Sequence, residues 1–399
     1  MHVLHVINSL DVRSGGPIYA LRGLLQWQLE HGYRVSLIAT DMQAGVGGLS
    51  REEHMRRISE DALWSRLSPV VVKAYGRGRP FNHLGFAPGS HAALSECLRT
   101  RDVSLIHIHG VFGWLTSAAA AMASRFGIPY VIEPYGAYDP SCFRSHLSFL
   151  KWLYHKLWGS KELSGAAAIR VASDHEAAPF ISIDHLRKKV VTIPYGVDLP
   201  SSDVVNNREK SCDGEAGPVC YMSRIAKKKR PEWVVLAAEM VKREFPRLNV
   251  EIVGSDDGHR SQLERVIAER NCHSWVRVRD FVYGEEKAAL LNSASMLVLP
   301  SRDESLGAVV LEAMAHAVPV VVTPGVASHV YVDEARCGFT VEDSVEGVAE
   351  GIRRVLLSDR QELGRRGRQY VEKHLTWPVV AQQIDQVYRS VVTNHEQSA

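Results

Sequence analysis

Short apolar runs recur along this chain at spacings that leave room for a helix between each run and the next. Val3 to Ile7, Val35 to Ala39, Val70 to Val72, Leu105 to Ile108 and Tyr130 to Ile132 alternate with longer segments of helical period. Strands joined through helices pair in parallel and are covered on both faces, which is why they read as unbroken apolar runs. The pattern continues through Ala167 to Ala172 and Val190 to Pro194. It then stops at the polar stretch Ser201 to Pro218, whose Asn206, Asn207, Gly214 and Gly217 mark a linker. A second series follows: Val219 to Ser223, Val250 to Gly254, Val276 to Arg279, Met296 to Leu299 and Val320 to Thr323. At 399 residues the chain exceeds one ordinary core. The expected architecture is therefore α/β, with two open Rossmann-like domains in tandem. The N-terminal domain covers 1–200, the linker 201–218, the C-terminal domain 219–375, an amphipathic helix 376–393 and a polar tail 394–399. Such sheets bind ligands at the carboxyl ends of their strands, so two facing domains would hold substrates in a deep cleft between them.

Composition narrows the function classes. A net charge of +2 gives no global attraction to nucleic acid, so any basic function has to come from local clustering. Six dispersed cysteines without paired spacing argue against a disulfide framework or a zinc module and fit a reducing cytoplasm. Met1 leads at once into a strand-like run, which leaves no room for a signal peptide. No apolar run reaches the ~18 residues needed to cross a bilayer.

The stretch Glu304-Ser-Leu-Gly-Ala-Val-Val-Leu-Glu312 places two carboxylates around a glycine where a loop becomes a helix. The first amides of such a helix lack intrahelical acceptors and carry the positive end of its dipole, so Gly307 marks an anion position that a ligand can approach closely. Carboxylates on either side would repel a bare phosphate yet accept hydrogen bonds from sugar hydroxyls. Carboxylate, amides, carboxylate reads as sugar, phosphate, ribose; the plainer reading is two solvated charges. After the strand Val219 to Ser223 comes Arg224-Ile-Ala-Lys-Lys-Lys-Arg230, a dense cationic turn. It would neutralise a departing diphosphate, or else merely solubilise a loop.

In the first half, Ser14-Gly-Gly-Pro17 follows the first strand and precedes a helix from about Ile18 to His31. It lacks dinucleotide or P-loop spacing, which leaves either close backbone approach to a ligand or a tight turn. His107 and His109 alternate with isoleucines and so share one strand face, with only His109 at the mouth. Either a structural or a catalytic role fits. No carboxylate or cysteine lies at a compatible local spacing, so no metal is expected. From Pro140 to Lys161 there is no acidic residue, while Lys151, Lys156 and Lys161 interleave with Trp152 and Trp158. This is a membrane-surface helix, with Lys151, Trp152, Lys156 and Trp158 at the interface, or a helix whose rings pack inside the first domain.

These elements together resemble the GT-B fold retaining glycosyltransferases of family four. The resemblance spans nearly the whole chain through Gly15-Gly16, His109, Ile193-Pro194-Tyr195-Gly196-Val197-Asp198, Arg224 with Lys229, Gly254, Pro300-Ser301, the Glu304/Glu312 pair and Thr376-Trp377. It implies that Arg224 and Lys229 hold a donor diphosphate, Glu304 the sugar hydroxyls and Glu312 the ribose. It further implies donor contacts at Gly16, Gly254, Leu306, Gly307 and Ala308, base contacts around Val282 and Tyr283, and His109 close to the transferred sugar. The C-terminal helix would return to the N-terminal domain. Arg230 replaces a usual glycine, Leu306 a usual aromatic, and His316-Ala317 a frequent cysteine-glycine pair; Tyr135 stands where relatives carry histidine or arginine, with Gly15 on the acceptor side. The expected activity is metal-independent, retaining transfer of a hexose from a UDP- or GDP-sugar to a glycan or polyprenyl-linked acceptor in cell-surface polysaccharide synthesis. The nucleotide sugar serves as co-substrate, with no cofactor and no nucleic-acid partner, in the cytoplasm or on the inner face of its membrane. A nucleotide-sugar epimerase on the same fold and a catalytically silent glycan-binding scaffold are the alternatives.

Overall fold

The structure, a computed structural model, describes residues 1–12, 15–43, 50–74, 85–138, 148–201 and 217–398. The chain forms two compact units, Met1–Gly196 with Trp377–Ala399, and Val197–Thr376. Most of the stretch expected as a linker, 202–216, lies outside the described residues, as does Ser14.

The first unit is a seven-stranded parallel sheet: β1 (His2–Ser9), β2 (Arg34–Thr40), β3 (Val70–Val72), β4 (Leu105–His109), β5 (Tyr130–Glu133), β6 (Ala168–Val171) and β7 (Val190–Thr192), in the order β3-β2-β1-β4-β5-β6-β7. Successive side chains point to opposite faces. Leu4 and Val6 accordingly join one apolar layer with Ile106, Ile108 and α2 (Trp114–Phe126), while Ile7, Leu37 and Ala39 join another with Ile18, Leu21 and Leu25 of α1 (Gly16–Glu30). His5 of β1 and His107 and His109 of β4 share the second parity, and Gln28 of α1 reaches His5. Strand β6 is followed by α3 (Asp174–Ile181). The C-terminal helix, Trp377–Ser398, belongs to this unit, as the resemblance implied. It corrects the expected tail, however: 394–398 continue the helix, since no glycine or proline interrupts them, and the His395 ring meets the Gly127 carbonyl at 2.7 Å.

The second unit is a six-stranded parallel sheet: β8 (Val219–Met222), β9 (Val250–Val253), β10 (Val276–Arg279), β11 (Met296–Leu299), β12 (Val320–Val322) and β13 (Gly338–Thr340), in the order β10-β9-β8-β11-β12-β13. Strand β13 was not apparent in the sequence; it is a three-residue edge strand, only half-buried, and carries no apolar run. Helices α4 (Arg260–Glu269), α5 (Gly284–Ser293) and α6 (Ala308–Ala315) follow β9, β10 and β11. In each sheet the winding reverses beside its first strand, between β1 and β4 and between β8 and β11. Those reversals open a crevice at the carboxyl ends.

Candidate active site

Both loops singled out in the second half leave the strands that flank its reversal point. The cationic turn follows β8, the Glu304 loop follows β11, and the backbone joins them: the Arg302 N–H donates to the Lys228 carbonyl at 2.9 Å. The side chains then pair. The Lys229 ammonium lies against the Glu304 carboxylate, and Lys228 Nζ is 3.8 Å from Asp303 Oδ2. Lys229 is buried, and burial, reinforced by Lys228 and Arg224, pushes its ammonium down to about 7 against the opposing pull of Asp303 and Asp257. Arg224 is exposed and donates to Asp257 Oδ2 at 2.5 Å. Asp257 is held in reach because the Ile225 N–H donates to the Ser255 carbonyl and the Asp257 N–H to the Ile225 carbonyl. Its neighbour Asp256 accepts instead from the amides of Gly258, His259 and Arg260 at the start of α4.

Glu304 is clamped by its own backbone, its N–H donating to the Gly325 carbonyl at 2.8 Å and its carbonyl accepting from the Ala327 N–H at 3.0 Å. Leu306 turns inward and is buried. Gly307 then adopts φ +78 as the residue before α6, a left-handed conformation that a side chain would strain, and a Cβ there would also press on Val326 at 3.0 Å and Glu304 Cγ at 3.2 Å. Ala308 opens the helix. Beside Gly307 the Ser328 hydroxyl is buried without a hydrogen-bond partner. Farther along α6, Glu312 Oε2 meets Lys287 Nζ of α5 at 2.5 Å, and His316 bonds Asn292 at 2.7 Å, so α5 and α6 are tied side by side. Val282 is buried and Tyr283 exposed at the head of α5. Gly254 ends β9 so close to β8 that a Cβ would lie 1.8 Å from the Ser223 carbonyl oxygen, which accounts for a glycine there by packing alone.

In the first unit Gly15 caps α1 and Gly16 opens it. Tyr135, at the end of β5, sits at φ +55, unusual for an aromatic residue. Its turn is held by Glu176 of α3, whose carboxylate accepts from the amides of Gly136 and Ala172 and is pushed up to about 6 by burial. His109 departs from expectation. Rather than standing open at a mouth, its ring is buried, with Nδ1 bonded to the Tyr135 hydroxyl at 2.9 Å and Nε2 to His5 Nδ1 at 2.9 Å. The cause is register: β1 and β4 pair His5 with His107 and Ile7 with His109, which fills the face between them with imidazoles. Burial holds all three rings below the ordinary histidine range. Sequence reasoning missed His5, Gln28, Asp257 and Lys287; matching side-chain parity in adjacent strands would have found the first.

The basic aromatic segment runs through a helix at Ser148–Tyr154, a π-helical turn at His155–Gly159 and a further helix at Ser160–Gly165. Phe149, Trp152, Leu157 and Trp158 are exposed, Phe149 stacks on Trp152, and Lys156 Nζ lies 4.9 Å over the Trp152 ring. Each tryptophan is thus about half-exposed, and the Trp158 ring also meets the buried Tyr154 ring. The Lys151 side chain lies outside the described residues. Among the described residues no helix is long and apolar enough to cross a membrane.

Residues 15–196 match the family described as glycosyl transferase 4-like domain, and residues 206–373 match glycosyl transferases group 1. The chain is 29% identical over 322 residues to a D-inositol 3-phosphate glycosyltransferase of Kineococcus radiotolerans, covering 73% of this chain and 72% of the relative. A 2-deoxystreptamine glucosyltransferase of Streptomyces kanamyceticus is 27% identical, over 57% of this chain and 62% of its own. Among solved structures, Anabaena Alr3699/HepE in complex with UDP and glucose superposes with a TM-score of 0.73 at 16% identity, over 98% of this chain and all of that one. WaaG, a glycosyltransferase involved in lipopolysaccharide biosynthesis, gives 0.67 at 14% identity, over 96% and 99%. Two parallel-sheet Rossmann-like domains are thus the fold of GT-B glycosyltransferases.

Proposed function

Because the chain belongs to the glycosyltransferases of group 1, with a 4-like N-terminal domain, we propose that it moves a hexose from a nucleoside diphosphate sugar to a glycan or lipid-linked hydroxyl, with retention at the transferred carbon. One observation carries this reading: the Lys229 ammonium lies against Glu304 just before the amide-rich start of α6, with Arg224 on the same turn as Lys229. The diphosphate takes Arg224, Lys229 and the first amides of α6, the sugar takes Glu304, the ribose takes Glu312 and the base takes the backbone at Val282 and Tyr283. As the sugar–phosphate bond breaks, negative charge builds on the departing oxygen. Preplaced cations meeting that charge act chiefly on the transition state. A divalent ion is not needed for this neutralisation. Among the described residues of the constellation, Asp257, Asp303, Glu304 and Glu312 each face a cation, which favours displacement on the face that the leaving phosphate occupies. His109, with both ring nitrogens engaged within the fold, lies on this reading close to the transferred sugar without acting as a free base. Gly15 and Tyr135 serve the acceptor side, and Gly16 lies by the donor phosphate.

Calorimetric titration with UDP tests the donor assignment. Arg224→Ala should weaken binding by about tenfold to a hundredfold, the loss of a charge-assisted hydrogen-bonding group; wild-type affinity in that variant would remove the arginine from the site. The exposed tryptophans beside lysines favour peripheral contact with anionic lipid, cation to head group and ring to interface. In flotation with vesicles containing phosphatidylglycerol, Trp152→Ala combined with Trp158→Ala should leave the protein at the bottom of the gradient while UDP binding is retained. Equal flotation of variant and wild type would reject the contact.

A further inference from the structure

The imidazole cluster of the first unit has the arrangement of a ligand set. His5, His107 and His109 each offer a ring nitrogen to a common point, and these atoms lie within 4.8 Å of one another. Each ring has its other nitrogen fixed from outside: His5 Nε2 on Gln28 Oε1 at 2.9 Å, His107 Nδ1 on the Tyr388 hydroxyl at 2.6 Å, and His109 Nδ1 on the Tyr135 hydroxyl at 2.9 Å. An outer partner for the second nitrogen is what metal-bound histidines require, because it sets the tautomer and the ring orientation. Two buried atoms are left over at the same place. His107 Nε2 and Glu133 Oε2 face each other at 3.4 Å and neither makes a hydrogen bond. The other carboxylate oxygen of Glu133 accepts from Arg170, which leaves Oε2 turned towards the imidazoles.

We propose that His5, His107 and His109 bind one divalent transition-metal ion, zinc or cobalt by their chemistry, with the Glu133 carboxylate beside His107 to offset the charge of the ion. Three imidazoles suit a four-coordinate site for a borderline ion that keeps one further position. Without the ion, a single proton bridges His5 Nδ1 and His109 Nε2; with it, that proton moves to His109 Nδ1 and is donated to the Tyr135 oxygen, so all three rings stay neutral and no net proton is released. The ligands come from β1 and β4, and the outer partners from α1, the C-terminal helix and the Tyr135 turn. The ion would therefore fasten five segments of the first unit. With every ligand buried, it enters as the chain folds and exchanges slowly afterwards. This site is independent of the donor assignment in the second unit.

The test is metal content of the full chain from cells grown with added zinc or cobalt, after prolonged dialysis against EDTA. About one equivalent should remain, and the cobalt form should show the intense visible bands of a four-coordinate ion. His107→Gln should lose the ion, and Gln28→Leu should lower zinc affinity on refolding by about tenfold to a hundredfold, as loss of an outer partner does. Far-UV circular dichroism and a cooperative urea transition reported by the tryptophans of the first unit verify that each variant is folded; should His107→Gln fail that check, the wild-type stoichiometry and cobalt spectrum decide alone. A wild-type chain holding less than about a tenth of an equivalent and showing no cobalt bands after refolding with the ion would overturn the proposal. So would full stoichiometry in folded His107→Gln, since the ion would then lie elsewhere.

Discussion

Lys229 illustrates how a cation can be placed for a reaction rather than for stability. Burial, reinforced by the neighbouring charges of Lys228 and Arg224, pushes its ammonium to about 7. The unfolded chain, with an ordinary lysine, binds that proton up to a higher pH, so between about 7 and the usual lysine value the ligand-free protein should gain stability as pH rises. A diphosphate reverses the preference, because it favours the ammonium. UDP affinity should therefore be level below about pH 7 and fall above it by up to about tenfold per pH unit, with proton uptake on binding. Titrations at pH 8 in buffers of different ionisation heat measure that uptake; the same apparent enthalpy in every buffer would show that Lys229 is already charged. At this scale the sequence was informative about the residues and silent about their partners. Arg224, Lys229, Glu304 and Glu312 were legible because each lies next to a strand end or helix start. Their counter-ions Asp257 and Lys287 come from other loops or helices, and no local spacing announces them. The unusual residues gain a physical reading too: Arg230 and Ala317, both at positions where relatives carry glycine, have φ of +51 and +55. Arg230 offsets that strain by pairing with Asp343 and lying 4.0 Å over the Trp233 ring.

Among elements, the contrast between strand and neighbour explains what was read and what was missed. Apolar runs of three to eight residues identified nearly every strand because both faces are covered, and that signal is local. Register is not local, so the alignment of His5 with His107, and of His109 with Glu133, could not be read from spacing along one strand. The expectation about metals rested on local spacing, and that spacing is blind to Glu133, which faces His107 from the adjacent strand. Motif glycines behave in the opposite way and become interpretable only in contact. A Cβ on Gly23 would fall 1.9 Å from the Trp377 ring and one on Gly196 2.5 Å from it. The Thr376-Trp377 pair thus seats the C-terminal helix against α1 and the end of the Ile193-to-Asp198 motif. Gly23→Ala should displace that indole and destabilise the first unit by about 1–3 kcal/mol, the usual cost of overpacking. Urea unfolding followed by tryptophan fluorescence measures it, and Trp377→Ala should relieve most of the added cost of Gly23→Ala in the double variant. Independent, additive losses would mean that ring and helix do not meet as described.

For the molecule as a whole, the consequence is a chain that threads one unit, builds a second and returns to the first. The second unit, Val197–Thr376, holds Arg224, Lys229, Glu304 and Glu312, while the first depends on the C-terminal helix, from which Trp377, Val380, Ile384 and Tyr388 are buried. Stability and binding should therefore respond separately. A ligand that binds only the native state protects the backbone it orders and raises the free energy of local opening there. Hydrogen–deuterium exchange with saturating UDP should slow amides around 223–230, 254–257, 282–284 and 302–308. Trp377→Ala should speed exchange in α1, at 193–196 and along the C-terminal helix, and leave the UDP-protected segments at their wild-type rates. The two perturbations address different hydrogen bonds, so their effects should add within one sample. Protection by UDP that centred on β4 and the Tyr135 turn would place the nucleotide in the first unit, and the donor assignment would then have to be abandoned together with the roles given to Arg224 and Lys229.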